Sequence, residues 1–250
     1  MTVQKDNVFG VDVCLFDMDG TIVNTTEAAE AVWKRLCVQE NVDPEELFKH
    51  SHGAKAGDIM AQYFPNVDNT DGKKVQAIEK ELVDDFEDIV KLVPGSKELL
   101  LSLDKDSSTG APLAGRKWAI VTSATPYIAF HWFTSILKEV GKPDVFITAL
   151  DVKNGKPDPE GYSKACDLLC NNCNFDRSIA RSVVFEDAPV GIKAGKAMGA
   201  VTVGITTSYD KGVLFDAGAD FVVNDLTQVR LLRNNDQDGI VFEIVNPLVK

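Results

Sequence analysis

Val11-Asp12-Val13-Cys14-Leu15-Phe16-Asp17-Met18-Asp19-Gly20-Thr21 sets an apolar run against two carboxylates two residues apart and a Gly-Thr turn. The run, bounded by Gly10 and Gly20, has the short continuous pattern of a strand covered on both faces. Side chains on a strand repeat every second residue, so Asp17 and Asp19 leave it on nearly the same side. Like charges that close favour protonation unless a cation sits between them. A hard divalent ion with oxygen ligands, Mg²⁺ by economy, satisfies that requirement. An acidic turn closing the strand is the other reading, since Asp and Gly are common turn residues. The pair alone does not separate the two.

With 250 residues, 44% hydrophobic and 26% charged, the chain has an ordinary globular composition and the length for one domain or two. Its net charge of −12 and lack of a basic cluster argue against nucleic acid and anionic membrane as partners. An anionic substrate would be repelled by the whole molecule, so its attraction must come from a local cation or a few lysines. Met1 to Asn7 carries no apolar signal region, and no apolar stretch approaches the roughly 20 residues that span a bilayer. Cys14, Cys37, Cys166, Cys170 and Cys173 are odd in number, and Cys14 falls in the apolar strand. They fit packing in a reducing, cytoplasmic setting. Cys166, Cys170 and Cys173 have metal-like spacing but no fourth ligand nearby, so no zinc is expected.

After the Asp pair the pattern turns helical for about seventy residues. Thr25 or Thr26 can cap a helix through Glu40 with Ala28, Ala31, Val32 and Leu36 on one face. Asp43-Pro44-Glu45-Glu46 is a helix start, with cap, first-position proline and first-turn acids. Further helical patterns run over Asp58 to Phe64 and Lys73 to Ile89, closed by Val93-Pro94-Gly95. Beyond lie apolar runs at Trp118 to Val121, Val145 to Thr148, Val183 to Phe185, Val201 to Ile205 and Phe221 to Val223. Amphipathic stretches such as Tyr127 to Val140 and Glu160 to Leu169 separate them, and Leu103 to Gly115 reads as a surface loop. This alternation specifies an α/β fold: a Rossmann-like, mostly parallel sheet core at 1–23 and 95–250, with an all-helical cap domain at 24–94 inserted after the first strand.

Ligands bind at the carboxyl ends of such strands. Besides Asp17 and Asp19, three later ends carry reactive groups. Val121 is followed by Thr122 and Ser123, whose hydroxyls suit phosphate oxygens or a helix cap. In Gly155-Lys156-Pro157-Asp158-Pro159, Asp158 and Pro159 read as cap and first helical residue, while the prolines stiffen the turn presenting Lys156. Val183-Val184-Phe185 ends in Glu186 and Asp187, adjacent acids that are costly without a cation. Two acids, two hydroxyls, a lysine and two more acids, each at a strand end, are far more specific together than singly. His131 and Trp132 sit on an amphipathic pattern and read as packing residues, and Gly191 as a site of close helix packing.

Asp17-x-Asp19-Gly20-Thr21, Thr122-Ser123, Lys156-Pro157 and Glu186-Asp187 resemble the four motifs of the haloacid-dehalogenase-like phosphatase superfamily. Within it the chain is most similar to the 2-deoxyglucose-6-phosphate and glycerol-phosphate phosphatases, over nearly its whole length. The resemblance implies a Mg²⁺-dependent phosphomonoesterase acting on a small phosphorylated sugar or polyol. Asp17 would attack phosphorus and form an aspartyl-phosphate; Asp19 would protonate the leaving alkoxide and later activate water. Asp17, the Asp19 backbone carbonyl, Asp187 and Glu186 would hold Mg²⁺, while Thr122 or Ser123 and Lys156 carry phosphoryl charge. Asp19 and Asp187 speak against halide displacement from carbon, which needs neither leaving-group proton nor metal. The insertion stands where these relatives carry a mobile cap, and its segment His50 to Lys55 makes His52, Gly53 and Lys55 candidates for substrate contact. Relatives often carry Arg at the position of Lys55, where the lysine ammonium offers no bidentate grip. A phosphosugar mutase on the same core is the alternative, and a phosphorylatable receiver-like module is disfavoured by Asp19 and the insertion. A monomer is the expected state.

Overall fold

A computed structural model describes residues 7–250. Residues 1–6, which hold the start of the expected core and most of the stretch that carries no signal region, lie outside the described residues. In chain order the elements begin with β1 (Val8–Val11), β2 (Val13–Phe16) and β3 (Val23–Asn24). Helices α1 (Thr26–Glu40), α2 (Pro44–Ser51), α3 (Ala56–Tyr63) and α4 (Lys73–Phe86) follow, and the chain returns through β4 (Lys91–Leu92). Next come α5 (Ser96–Leu103), β5 (Trp118–Val121), α6 (Pro126–Thr134), β6 (Phe146–Ile147) and α7 (Glu160–Cys173). The chain ends with β7 (Ser182–Glu186), α8 (Pro189–Ala197), β8 (Val201–Ile205), α9 (Lys211–Asp216), β9 (Phe221–Val223), β10 (Val229–Arg233) and β11 (Ile240–Ile244).

Six strands form a wholly parallel sheet in the order β6-β5-β2-β7-β8-β9. Strands β2, β5 and β7 are buried along their whole length, as their unbroken apolar sequences require. The chain steps from β2 to β5 on one side and later to β7 on the other. The crevice at this switch lies outside the carboxyl ends of the central strands, where open α/β sheets bind ligands.

The helical insertion hangs on an antiparallel ribbon, with Val23 opposite Leu92 and Asn24 opposite Lys91. Asp43 caps α2 by accepting from Glu45 N–H at 3.0 Å. Helix α1 buries Ala28, Val32, Trp33, Leu36 and Cys37, while α4 buries Val75, Ile78, Glu79 and Leu82. One continuous apolar cluster joins the apolar side chains of both helices to Phe16, Trp118 and Phe185 of the sheet.

The structure departs from the sequence expectation in particular places. Val11 to Phe16 is two strands, not one. The chain pivots at Asp12, whose N–H donates to Arg181 O and whose carboxylate accepts from Arg181 N–H, both at 2.8 Å. Strand β1 thereby joins an antiparallel sheet, β1-β11-β10, which the expected elements do not include. The run over Val145 to Thr148 pairs only at Phe146–Ile147, and the helix beginning near Tyr127 stops at Thr134. Asp158 accepts from Glu160 N–H at 2.9 Å, and α7 extends to Cys173. Cys14, Cys37, Cys166 and Cys170 are buried and, with Cys173, carry free thiols. No helix among the described residues is long and apolar enough to cross a membrane.

Candidate active site

Parallel register builds the site. Phe16 lies opposite Phe185, and the two rings stack with centroids 4.6 Å apart. The next residue on each strand therefore emerges side by side: Asp17 after β2 and Glu186, with Asp187, at the end of β7. Asp17 N–H donates to Phe185 O at 3.0 Å and fixes the alignment. Carboxylate oxygens of Asp17, Glu186 and Asp187 lie within 4.8 Å of one another, all buried. Lys156, carried in from the loop before α7, donates at 2.5 Å to both Asp17 Oδ1 and Glu186 Oε1.

Glu186 is gripped on every side. Tyr162 donates its hydroxyl to Oε1 at 3.0 Å, and Ala188 N–H donates to Oε2 at 2.9 Å. Gly191 leaves the room this carboxylate occupies: a Cβ there would lie 1.6 Å from Glu186 Oε1. Gly191 thus serves the site itself and not only the helix packing expected of it. Sequence reasoning misses Tyr162, whose only signal is an aromatic residue on the buried face of the helix that follows Lys156.

The two aspartates of the first motif face different surroundings. Asp19 takes no part in the carboxylate cluster through its side chain, which accepts from Thr25 Oγ1 at 3.0 Å and Thr122 Oγ1 at 3.2 Å. Ser123 Oγ donates to Gly53 O at 2.7 Å, a link from the core to the helical insertion. His52 and Gly53 line a cavity that starts at Asp17 and Asp19 and runs between core and insertion. Lys55 does not line that cavity. Its ammonium donates to Val152 O at 2.8 Å on the loop leading to Lys156, where backbone carbonyls compete for it. Glu79, buried at the wall of the cavity and without a signal in the sequence, reaches Thr125. His131 meets Glu87 at 2.8 Å, and Trp132, fully buried, is among the groups that lower the proton affinity of Asp19.

Electrostatics shows what the cluster can hold. Burial first, then the neighbouring Glu186 charge, pushes the Asp187 carboxyl up to about 7. Burial likewise raises Asp17 well above the carboxylate range, with Lys156 opposing and Glu186 and Asp187 adding to the rise. Burial alone would lower Lys156, but Asp17 and Glu186 outweigh it and hold its ammonium above the ordinary value. Three ionised carboxylates against one ammonium leave two negative charges, the complement of a divalent cation. The donors are all hard oxygens, which suits Mg²⁺ and not a thiophilic metal. Asp19 is raised by burial, against the hydrogen bonds from Thr25 and Thr122 that lower it.

This constellation of strand-end carboxylates, hydroxyls and lysine coincides with a match of residues 11–199 to the haloacid dehalogenase-like hydrolase model. The chain belongs to the haloacid dehalogenase-like hydrolases. It is 63% identical to 2-deoxyglucose-6-phosphate phosphatase 2 of Saccharomyces cerevisiae, over 97% of this chain and 98% of the relative. Glycerol-1-phosphate phosphohydrolase 1 of the same yeast is 37% identical, over 93% and 91%. A hydrolase from Pseudomonas syringae shares the fold, with a TM-score of 0.67 and 24% identity, covering 86% of this chain and 94% of that one.

Proposed function

We propose that this hydrolase cleaves phosphate monoesters of small sugars or polyols, 2-deoxyglucose 6-phosphate among them, by way of an aspartyl-phosphate on Asp17. The observation that carries the reading is the Asp17, Glu186 and Asp187 cluster bridged by Lys156 at one end of a cavity that Asp19 also lines. Identity of 63% to a 2-deoxyglucose-6-phosphate phosphatase supports the substrate class.

Asp17, Glu186 and Asp187 would hold Mg²⁺, joined by the backbone carbonyl of Asp19. When bound, the ion draws a phosphate dianion into an acidic site and spreads the charge of the transferring group. Asp17 attacks phosphorus, held in place by its backbone bond to Phe185 and by Lys156. Lys156 neutralises the nonbridging phosphoryl oxygens, assisted by the Thr122 and Ser123 hydroxyls. Asp19, with its proton affinity raised by burial, carries the proton to the leaving alkoxide and takes one back from the attacking water. Thr25 and Thr122 hold its carboxyl in the cavity wall meanwhile. Residues 24–94 act as a cap that excludes bulk water, with His52 and Gly53 against the substrate and Lys55 as a tie to the core. Buried, unbridged cysteines support a cytoplasmic setting, and the strongly acidic surface supports a monomer.

A panel of phosphorylated sugars and polyols, assayed for released phosphate with Mg²⁺ and after chelation, tests the reading. Turnover of neutral sugar or polyol phosphates that chelation abolishes is expected. Asp17→Asn should lose at least about three orders of magnitude in kcat, the scale seen when a covalent nucleophile is removed, and keep its circular dichroism spectrum. Substantial activity in that variant would overturn the role of Asp17.

A further inference from the structure

Among the described residues, Glu79 is the one buried carboxylate at the cavity that the chemistry above does not use. It comes from α4 in the insertion and reaches the N-terminus of α6 in the core. Thr125 N–H donates to its Oε1 at 2.9 Å and the Thr125 hydroxyl donates to its Oε2. Both carboxylate oxygens thus act as acceptors, and these bonds favour the ionised form against the burial that raises its carboxyl above the ordinary value. The cavity wall it shares also carries the apolar side chains of Trp33, Ile59, Ile78, Leu82 and Ile128. Placing a charge in such a wall costs free energy that a second leucine would avoid.

The position gives that charge a use. An ionised carboxylate offers about four lone-pair sites, of which Thr125 takes two. The remainder can accept hydrogen bonds from hydroxyl groups entering the cavity. Among the described residues no lysine or arginine lines this cavity. A second anionic group on the substrate would therefore meet like charge without a counter-ion, in surroundings where water screens poorly.

We infer that Glu79 selects substrates whose far end carries neutral hydroxyl groups and rejects those with a second phosphate or a carboxylate there. The inference rests on the phosphatase reading. It also separates that reading from the mutase alternative. A mutase that moves a phosphoryl group between two hydroxyls through an enzyme phosphate must at some stage hold a sugar bearing both phosphates, and the cavity beside Glu79 is hostile to the second one.

Matched pairs differing only at the far end provide the test: glycerol 3-phosphate against 3-phosphoglycerate, and glucose 6-phosphate against glucose 1,6-bisphosphate. The wild-type chain should favour the neutral member of each pair by about a hundredfold or more in kcat/KM, the scale of a desolvated like-charge contact. Glu79→Gln preserves size and removes the charge. It should narrow each ratio by about tenfold, with KM falling for the anionic member and rising for the neutral one. Calorimetric binding of the same pairs reads the discrimination without turnover. A chain that hydrolyses nothing in the panel, yet binds the neutral members selectively through Glu79, would overturn the phosphatase reading and leave this one standing. Equal handling of both members by the wild type would overturn the selective role of Glu79. So would unchanged ratios in a Glu79→Gln variant of normal thermal midpoint, which would reduce Glu79 to a strut between α4 and α6.

Discussion

His52 lies against two aromatic rings, with centroids 6.1 Å from Phe48 and 5.7 Å from Tyr209, and its Nε2 is 3.3 Å from Glu30 Oε1. Burial lowers its proton affinity below the ordinary histidine value, while Glu30 pulls the other way and loses. The folded state therefore binds this proton less readily than the unfolded chain. Its contribution to stability is present above the unfolded value, near pH 6.5, and is lost as pH falls through and below it. Each unit of depression is worth about 1.4 kcal/mol. Denaturant titrations at about pH 7.5 and about pH 5.5, on either side of that value, should show the wild type losing more stability than His52→Asn. Equal losses would mean the imidazole titrates as freely as in the unfolded chain. In sequence His52 stands out only as a polar residue at a helix junction. Tyr209 gives no such signal, because its contact with His52 joins distant parts of the chain that only the packed insertion brings together.

At the scale of elements, the strand ends are legible in the sequence and the ties between insertion and core are not. Asp17, Glu186 and Asp187 close apolar runs that read as strands buried on both faces, and parallel register then brings them together. Lys55 and Glu79 escape such reading for the opposite reason. Each bonds to a partner from the other unit, Lys55 to Val152 O and Glu79 to Thr125, and no local pattern links either residue to its partner. The run over Val11 to Phe16 likewise reads as one unbroken strand, since the pivot at Asp12 depends on the distant backbone of Arg181. Gly53 shows how tightly these units meet. Its φ is +79°, and a Cβ would stand 2.6 Å from Ala188 Cβ and 2.9 Å from Val190 Cγ2, in the segment that follows Glu186 and Asp187. Gly53→Ala should therefore add about 1–2 kcal/mol of backbone strain and push the insertion off the core. The expected result is a kcat/KM about tenfold or more below wild type, carried mainly by KM. Gly57→Ala is the control: it sits within α3 with nothing within 4 Å of the added atom, and should keep activity with equal or slightly higher stability. Matching kinetics for the two variants would show that the insertion need not seat against this segment.

The whole molecule carries a net charge of −12, yet its proposed substrate is itself an anion. Attraction is confined to the buried ammonium of Lys156 and to a divalent cation that the carboxylate cluster would hold. Both act at short range in a site poor in water, where salt screens weakly. Repulsion from the acidic surface acts over longer distances and is cut once the Debye length shrinks to about 10 Å near 0.1 M ionic strength. The two contributions thus respond to salt unequally. At low ionic strength the surface slows encounter, so adding salt should raise kcat/KM for a phosphate dianion, by about twofold between roughly 10 and 150 mM sodium chloride, while leaving kcat unchanged. Steady-state kinetics at fixed Mg²⁺ concentration would show the trend. A fall in kcat/KM across that range would mean that local cations dominate the approach, and that the acidic surface does not govern capture of the substrate.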